Sequence, residues 1–326
     1  MIVVTGATGH IGNVLVRELL ARGKPVRVVL PPNEDCAPIA GLTLERVTAD
    51  VRDPESLVAA FAGADSVFHL AGIISISPGQ ARLMQQVNVI GVRNVVQACL
   101  KNRVRRLIYT CSVHAFAESR HGTAICETFE IDVSRVVGDY GKSKARGLAE
   151  MVNGMKQGLD TVIVFPSGVI GPNDYKGSEM GQLILDYARR KLPAYVDGEY
   201  DFVDVRDVAA GLIGAAERGR PGEGYILTGE IVPVREILSI MQSLTGIPPP
   251  GLKIPFWLAR LAALFTPLHY RFTGAKPRFT SYSLHVLQSN CRFNNEKARR
   301  ELGFNPRPLR QTIADTYNWF KETGRL

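Results

Sequence analysis

The chain opens Met1-Ile2-Val3-Val4-Thr5-Gly6-Ala7-Thr8-Gly9-His10-Ile11-Gly12, and this stretch decides the fold. Ile2–Val4 is a short β-branched run, the composition of a buried strand. Gly6, Gly9 and Gly12 follow at spacing three, and an apolar, helix-compatible segment begins at Asn13. A glycine-rich turn between a strand and a helix lets the backbone approach a pyrophosphate. It also aims the first helical N–H groups and the helix dipole at the anion. The spacing is G-x-x-G-x-x-G rather than the commoner G-x-G-x-x-G. A tight strand-to-helix turn without a ligand carries the same glycines, so the rest of the chain must arbitrate.

Working outward, apolar strand candidates alternate with amphipathic helical stretches. The strands are Ile2–Thr5, Val26–Leu30, Leu42–Thr48, Ser66–Leu70, Arg106–Thr110 and Thr161–Phe165; the helices are Asn13–Arg22, Glu55–Ala62, Leu83–Lys101 and Tyr140–Gln157. Strict βαβα order predicts an α/β fold of the Rossmann type, a doubly wound parallel sheet with right-handed crossovers. After Phe165 the pattern turns irregular, punctuated by Pro166, Gly168, Gly171 and Pro172. Residues 171–199 and 230–292 therefore read as a smaller C-terminal substrate lobe. The dinucleotide-binding domain, 1–170, is expected to be completed by 200–229 and 293–320.

At 326 residues there is room for one large domain and a lobe, and 45% hydrophobic with 21% charged residues is ordinary for a globular protein. The net charge of +8 reads as solvated faces, because no aromatic-plus-basic nucleic-acid module accompanies it. Five cysteines without C-x-x-C spacing exclude a zinc ribbon and fit free thiols in a reducing compartment. No metal site is expected. A start directly on a strand gives no signal or transit peptide, no stretch reads as a transmembrane segment, and the expected location is cytoplasmic.

Three residues suggest chemistry. Tyr140 and Lys144 stand one turn apart on a predicted helix. An ammonium there would favour the phenolate and lower the tyrosine pKa, giving a group able to exchange a proton with a ketone or secondary alcohol. The same spacing also occurs in plain surface pairs. Ser112, just past the strand Arg106–Thr110, lies where an open α/β sheet binds its ligand, and it reads equally as a turn cap. Asp50 could accept from an adenine amine or belong to a turn, with Asp53 before Pro54 the better N-cap. His69 reads as a packed histidine.

Taken in order, these stretches resemble the extended short-chain dehydrogenase/reductase family, of the NAD-dependent epimerase/dehydratase type. The matching residues are Thr5–Gly12, Asp50, His69-Leu70-Ala71-Gly72, Asn88-Val89-Ile90-Gly91-Val92-Arg93-Asn94, Ser112, Tyr140 with Lys144, Pro166–Pro172, Phe202–Ala209 and Glu301–Pro306. The resemblance implies Tyr140 as catalytic acid/base, Lys144 as its partner and a ribose ligand, and Ser112 as the carbonyl-polarising hydroxyl. It implies cofactor contacts at Gly6, Thr8, Gly9, His10, Ile11, Gly12, Asp50, Val51, Leu70, Ala71, Gly72, Pro166 and Val169, besides Tyr140 and Lys144. It also implies a homodimer through Leu83–Lys101 and Tyr140–Gln157.

Within the family, Cys111-Ser112-Val113 replaces the Thr-Asp-Glu of sugar dehydratases, and no arginine precedes Val169-Ile170-Gly171-Pro172 as it does in many epimerases. Tyr109–Ser112 and Pro166–Val169 look closer to the dihydroflavonol reductase and 3β-hydroxysteroid dehydrogenase branches. The expected reaction is an NAD(P)-dependent exchange between secondary alcohol and ketone on a small hydrophobic or ring-containing substrate. A nucleotide-sugar epimerase that keeps its NAD, or a non-catalytic dinucleotide sensor, are the rivals. The second strand ends Leu30-Pro31-Pro32, matching neither the NAD nor the NADP pattern; Glu34 and Asp35 beyond it lean the choice toward NAD, since they would repel a 2′-phosphate if they turn inward. The apolar stretch Ile254–Leu268 could line the pocket, touch a membrane surface or simply pack.

Overall fold

A computed structural model describes residues 1–75, 79–263 and 281–326. The end of the apolar stretch, from 264, lies outside the described residues.

The strands are β1 (Ile2–Thr5), β2 (Val26–Leu30), β3 (Glu45–Thr48), β4 (Ser66–His69), β5 (Arg106–Thr110), β6 (Thr161–Pro166), β7 (Gly168–Ile170), β8 (Ala194–Tyr195), β9 (Glu199–Asp204), β10 (Gly224–Leu227), β11 (Glu230–Pro233) and β12 (Leu252–Lys253). The helices are α1 (His10–Ala21), α2 (Pro54–Ala60), α3 (Ala81–Gln85), α4 (Gly91–Lys101), α5 (Gly138–Lys156), α6 (Glu179–Ala188), α7 (Val205–Arg218), α8 (Val234–Thr245), α9 (256–263), α10 (Ser281–Val286), α11 (Glu296–Leu302) and α12 (Leu309–Glu322). No helix among the described residues is long and apolar enough to cross a membrane.

Seven strands form one sheet in the order β10-β6-β5-β4-β1-β2-β3, and every pairing in it is parallel. Alternate residues feed opposite faces, because side chains on a strand point to either side in turn. Val3, Val67, Leu107 and Ile163 enter the core under α4 and α5. Val4, Phe68, Ile108 and Val164 enter the core under α1 and α7. This is the doubly wound α/β architecture expected from the βαβα order. The chain winds from β1 to β3 in one direction and from β4 to β6 in the other. The reversal between β1 and β4 opens a crevice at the strands' carboxyl ends.

Local chemistry sets the ends. Asp53 caps α2, accepting from the backbone N of Glu55 and Ser56 at 3.1 and 3.4 Å ahead of Pro54, and Asp204 and Ser178 cap α7 and α6 in the same way. The third strand is shorter than expected: Leu42 and Leu44 pack on the core outside the ladder, which begins at Glu45. The stretch Leu83–Lys101 is helical throughout, within a run that begins at Ala81. A π-helical turn at Gln86–Ile90 joins α3 to α4, and the backbone stays right-handed helical at both junctions. Beyond the main sheet, β7, β9 and β11 form a three-stranded sheet and β8 pairs with β12. A third core there gathers Ile184, Tyr200, Phe202, Ile237, Met241 and Ile313.

Candidate active site

The glycine loop lies at the crevice, and its three glycines do different work. Gly6 has φ of +73°, and a Cβ on it would stand 2.5 Å from the Ala71 backbone N and 2.6 Å from the Leu70 carbonyl carbon. A Cβ on Gly12 would stand 2.1 Å from the Gly6 oxygen. These two are required by the packing of loop, helix and β4 end. At Gly9 the nearest atom to an added Cβ is the Gly6 oxygen at 3.3 Å, with nothing else within 4 Å, so this glycine keeps space open above the helix. Gly9 is the N-cap of α1, offers no side-chain cap, and no acidic residue sits in the first turn. An uncapped 12-residue helix facing an open cradle fits a pyrophosphate.

The loop's neighbours are tied down. His10 Nε2 donates to the Pro172 carbonyl at 3.0 Å and Asn13 Nδ2 to that of Asn173 at 3.1 Å, strapping the 172–176 turn onto α1. Ile11, Leu70 and Val169 are part-buried against the core beneath the loop, and Pro166 is buried at the end of β6. Glu34 does turn inward: Thr8 Oγ1 donates to it, and Lys176 Nζ reaches it at 2.6 Å and Thr8 Oγ1 at 3.1 Å. Burial alone would raise the Glu34 carboxyl; the hydrogen bonds from Lys176 and Thr8 hold it below its ordinary value. Asp35 faces elsewhere, accepting from the Ala37 backbone N at 2.9 Å. The Asp50 carboxylate is taken by Arg52, at 2.6–3.1 Å through the guanidinium, and this pair keeps it ionised below the usual range. Val51 is buried, and its carbonyl accepts from Asn94 Nδ2 at 2.9 Å.

Tyr140 and Lys144 lie on the first turns of α5, and Ser112 follows β5; all three are under 10% exposed. Ser112 caps a turn, as one of its two readings expected. Its Oγ accepts from the His114 backbone N at 3.3 Å, capping a short 3₁₀ turn, and its hydroxyl is near enough to the Tyr140 phenol to favour the ionised form. The expectation that Lys144 lowers the phenol's pKa is corrected. Burial pushes Tyr140 up to about 12, opposed by the Ser112 hydrogen bond. Lys144 is not among the groups that set that value; its Nζ donates to the Thr110 carbonyl at 2.9 Å and stands 5.1 Å over the Tyr109 ring. Burial lowers the Lys144 pKa as well. His69 is fully buried, bonded through Nδ1 to Thr5 Oγ1 at 2.7 Å, and burial drops its pKa to about 3, consistent with a packed histidine.

Two groups of residues escaped a role at the level of sequence. The first centres on Asn88, inside the π-helical turn. Its Oδ1 accepts from the Ile73 backbone N at 2.8 Å, and its Nδ2 donates to the Ile73 carbonyl and to Ser143 Oγ, both at 2.9 Å. Ser143 Oγ donates to the Tyr140 carbonyl at 2.7 Å, so the β4 exit is fastened to the turn that carries the phenol. π-turns of this kind concentrate at functional sites, and the Asn88–Asn94 motif was their only trace in the sequence. The second group is His114, Tyr200 and Tyr282. His114 Nε2 lies 3.1 Å from the Tyr200 hydroxyl, its Nδ1 3.2 Å from that of Tyr282, and its ring centroid 5.8 Å from that of Tyr140. Burial drops the His114 pKa to about 4, leaving it neutral. A cavity beside them is walled by Val113, Phe116, Ile125, Val137 and Phe293, with Glu118, His285 and Asn290 as polar points and, among the described residues, neither Lys nor Arg in its lining. No spacing rule joins positions 114, 200 and 282, so only the fold reveals the group.

Comparison with known proteins agrees with this geometry. Residues 2–227 match the model of a family described as NAD dependent epimerase/dehydratase. The sterol demethylase protein B of Methylococcus capsulatus is 38% identical over 325 residues, 99% of each chain. The 3β-hydroxysteroid-dehydrogenase/decarboxylase isoform 1 of Arabidopsis thaliana is 30% identical over 353 aligned positions, covering 98% of this chain and 79% of the relative. Among solved structures, the crystal structure of gox2253 superposes with a TM-score of 0.88 at 35% identity, over 100% of this chain and 99% of that one.

Proposed function

The chain belongs to the NAD dependent epimerase/dehydratase family, of the extended short-chain dehydrogenase/reductase type, and we propose that it interconverts a secondary alcohol and a ketone on an apolar, ring-bearing substrate of the sterol class. The observation that carries the reading is the cavity next to Ser112 and Tyr140, whose lining is largely apolar and aromatic and, among the described residues, holds neither Lys nor Arg. A nucleotide sugar brings a diphosphate, and a site for one needs cationic partners. The sterol class comes from the names of the two relatives given above.

The cofactor is NAD in this reading, and when bound it supplies the hydride acceptor or donor. Gly9 and the uncapped start of α1 would hold its pyrophosphate, Lys144 a ribose, and Glu34 the hydroxyls of the other ribose. Tyr140, neutral in the free protein, is in the form that donates a proton to a ketone oxygen; oxidation requires it to take the alcohol proton instead. Ser112 orients that oxygen by a hydrogen bond, and His114, kept neutral, fixes the Tyr200 and Tyr282 hydroxyls on the substrate side. In this reading the lobe expected over 171–199 and 230–292, of which 264–280 lie outside the described residues, receives the ring system.

The test is NADH formation at 340 nm from NAD and a 3β-hydroxysteroid, run beside UDP-glucose as the rival. Turnover of the steroid supports the proposal. Isomerisation of the UDP-sugar without net redox, with no steroid turnover, would establish the epimerase instead.

A further inference from the structure

Helix α9 is amphipathic in the inverse sense. It buries Ala259 and Ala263 against Val196 and Leu284, with Phe256 part-buried beside them, and turns Trp257, Leu258 and Leu261 to water. Trp257 is 65% exposed, Leu258 45% and Leu261 49%. Their spacing puts all three on one face, and Leu252 on the neighbouring β12 is 61% exposed. A helix needed only to close a small core would place its leucines inward and its alanines outward. An exposed patch of Trp and Leu marks a surface that meets something apolar.

Charge says what that is. From 237 to 295 the sequence has no Asp or Glu, and it holds six of the chain's 39 Lys and Arg: Lys253, Arg260, Arg271, Lys276, Arg278 and Arg292. Most of the chain's net charge of +8 therefore comes from this one segment. Within it Lys253 pairs with Asp197 and Arg260 donates to Gln288, and both remain exposed. A second copy of the chain, meeting this face isologously, would set one acid-free segment against another. An anionic bilayer complements it in charge, and Trp with Leu beside Lys and Arg is the composition of a side chain set lying at the headgroup level.

We propose that α9 and the adjoining β12 dock this protein on an anionic lipid bilayer, with Trp257, Leu258 and Leu261 inserted at the headgroup boundary. The docking is peripheral, and it stands whatever reaction the site performs.

The experiment is flotation of the full chain, without substrate or cofactor, with vesicles of phosphatidylcholine containing roughly one quarter phosphatidylglycerol, and with phosphatidylcholine alone. Binding to the anionic vesicles is expected, weaker by about tenfold or more on the neutral ones and in about 0.5 M salt. A W257S/L258S/L261S variant, altered only at exposed positions, should keep its melting temperature and lose binding by about tenfold or more. As a second readout in the unaltered chain, Trp257 emission should shift to the blue on vesicle addition; the other tryptophan, Trp319, packs against Tyr175 and Phe320. Absence of anionic-vesicle binding, or undiminished binding by the variant, overturns the proposal. So does self-association in sedimentation that the variant abolishes, which would assign the face to a second copy.

Discussion

Gly9→Ala and Gly12→Ala differ by three positions and are expected to fail in opposite ways. At Gly12 the new methyl would stand 2.1 Å from the Gly6 oxygen and 2.9 Å from Ala7 Cα, both backbone, so the loop or the helix must move. An overpacked site of this kind costs about 3 kcal/mol or more. For 326 residues, at an unfolding entropy of roughly 2 cal/mol/K per residue, that lowers the melting temperature by about 5 °C. At Gly9 the backbone is ordinary, φ −70° and ψ 168°, and the nearest atom to the methyl is at 3.3 Å. The loss of an N-cap glycine and the entropy removed from the unfolded chain are each under about 1 kcal/mol and oppose one another. The melting temperature should therefore stay within about 2 °C. The methyl does occupy the space kept open for an anion. Pushing the pyrophosphate off the N–H groups should cost about 1.4–3 kcal/mol, a ten- to hundredfold rise in Kd for NAD. Differential scanning fluorimetry and titration calorimetry on the two variants read both quantities. Wild-type NAD affinity in a folded Gly9→Ala protein would refute the assignment of the cradle.

Four further outcomes follow from the site. Tyr140→Phe should keep its NAD affinity within about twofold while kcat falls by about 10²–10⁴; unimpaired turnover by stopped-flow would remove the phenol from the mechanism. Glu34→Gln should release Lys176 and shift the ratio of NADP to NAD affinity upward by about tenfold, since a contact charge is removed from beside the 2′ position. An unchanged ratio in paired titrations would place the adenosine ribose elsewhere. Acid should destabilise the fold: His69 must protonate on unfolding, with a folded pKa of about 3 against an unfolded value near 6.5, so its stabilisation is full above about 6.5 and falls away toward 3. At pH 5 this is a loss of about 2 kcal/mol, with a smaller one from the partly exposed His114. Asp201, raised by burial to about 6, works the other way and returns about 1 kcal/mol, so urea unfolding at pH 7 and pH 5 should differ by roughly 1–3 kcal/mol; equal stabilities would contradict it. Finally, the outer faces of α4 and α5, bridged by Arg93 and Glu150, are expected to form a homodimer interface; a monomer in sedimentation at micromolar concentration would exclude it.

What could be read without coordinates was whatever is local. A strand, a turn and a helix within a few dozen residues carry their own signal in β-branching, glycine spacing and apolar period, and six strands alternating with four helices dictate a parallel sheet. The Tyr140–Lys144 spacing and the cap at Asp53 are equally local. What escaped depends on chain segments far apart. Lys176 lies 142 residues from Glu34, and His114 meets Tyr200 and Tyr282 across 86 and 168 residues. The phenol's pKa was misjudged for the same reason: helix spacing brings Lys144 near Tyr140, but burial by the whole fold is the largest influence on the phenol and raises it. The stretch Ile254–Leu268 shows the division most plainly. Its hydrophobicity is written in the sequence, while which of its described side chains face water was decided by packing: Ile254, Phe256 and two alanines lie against Val196 and Leu284, and Trp257, Leu258 and Leu261 face out. Short-range periodicity thus determined the framework, and tertiary contact decided the protonation and the exposed face, because desolvation and pairing are properties of a site's whole surroundings.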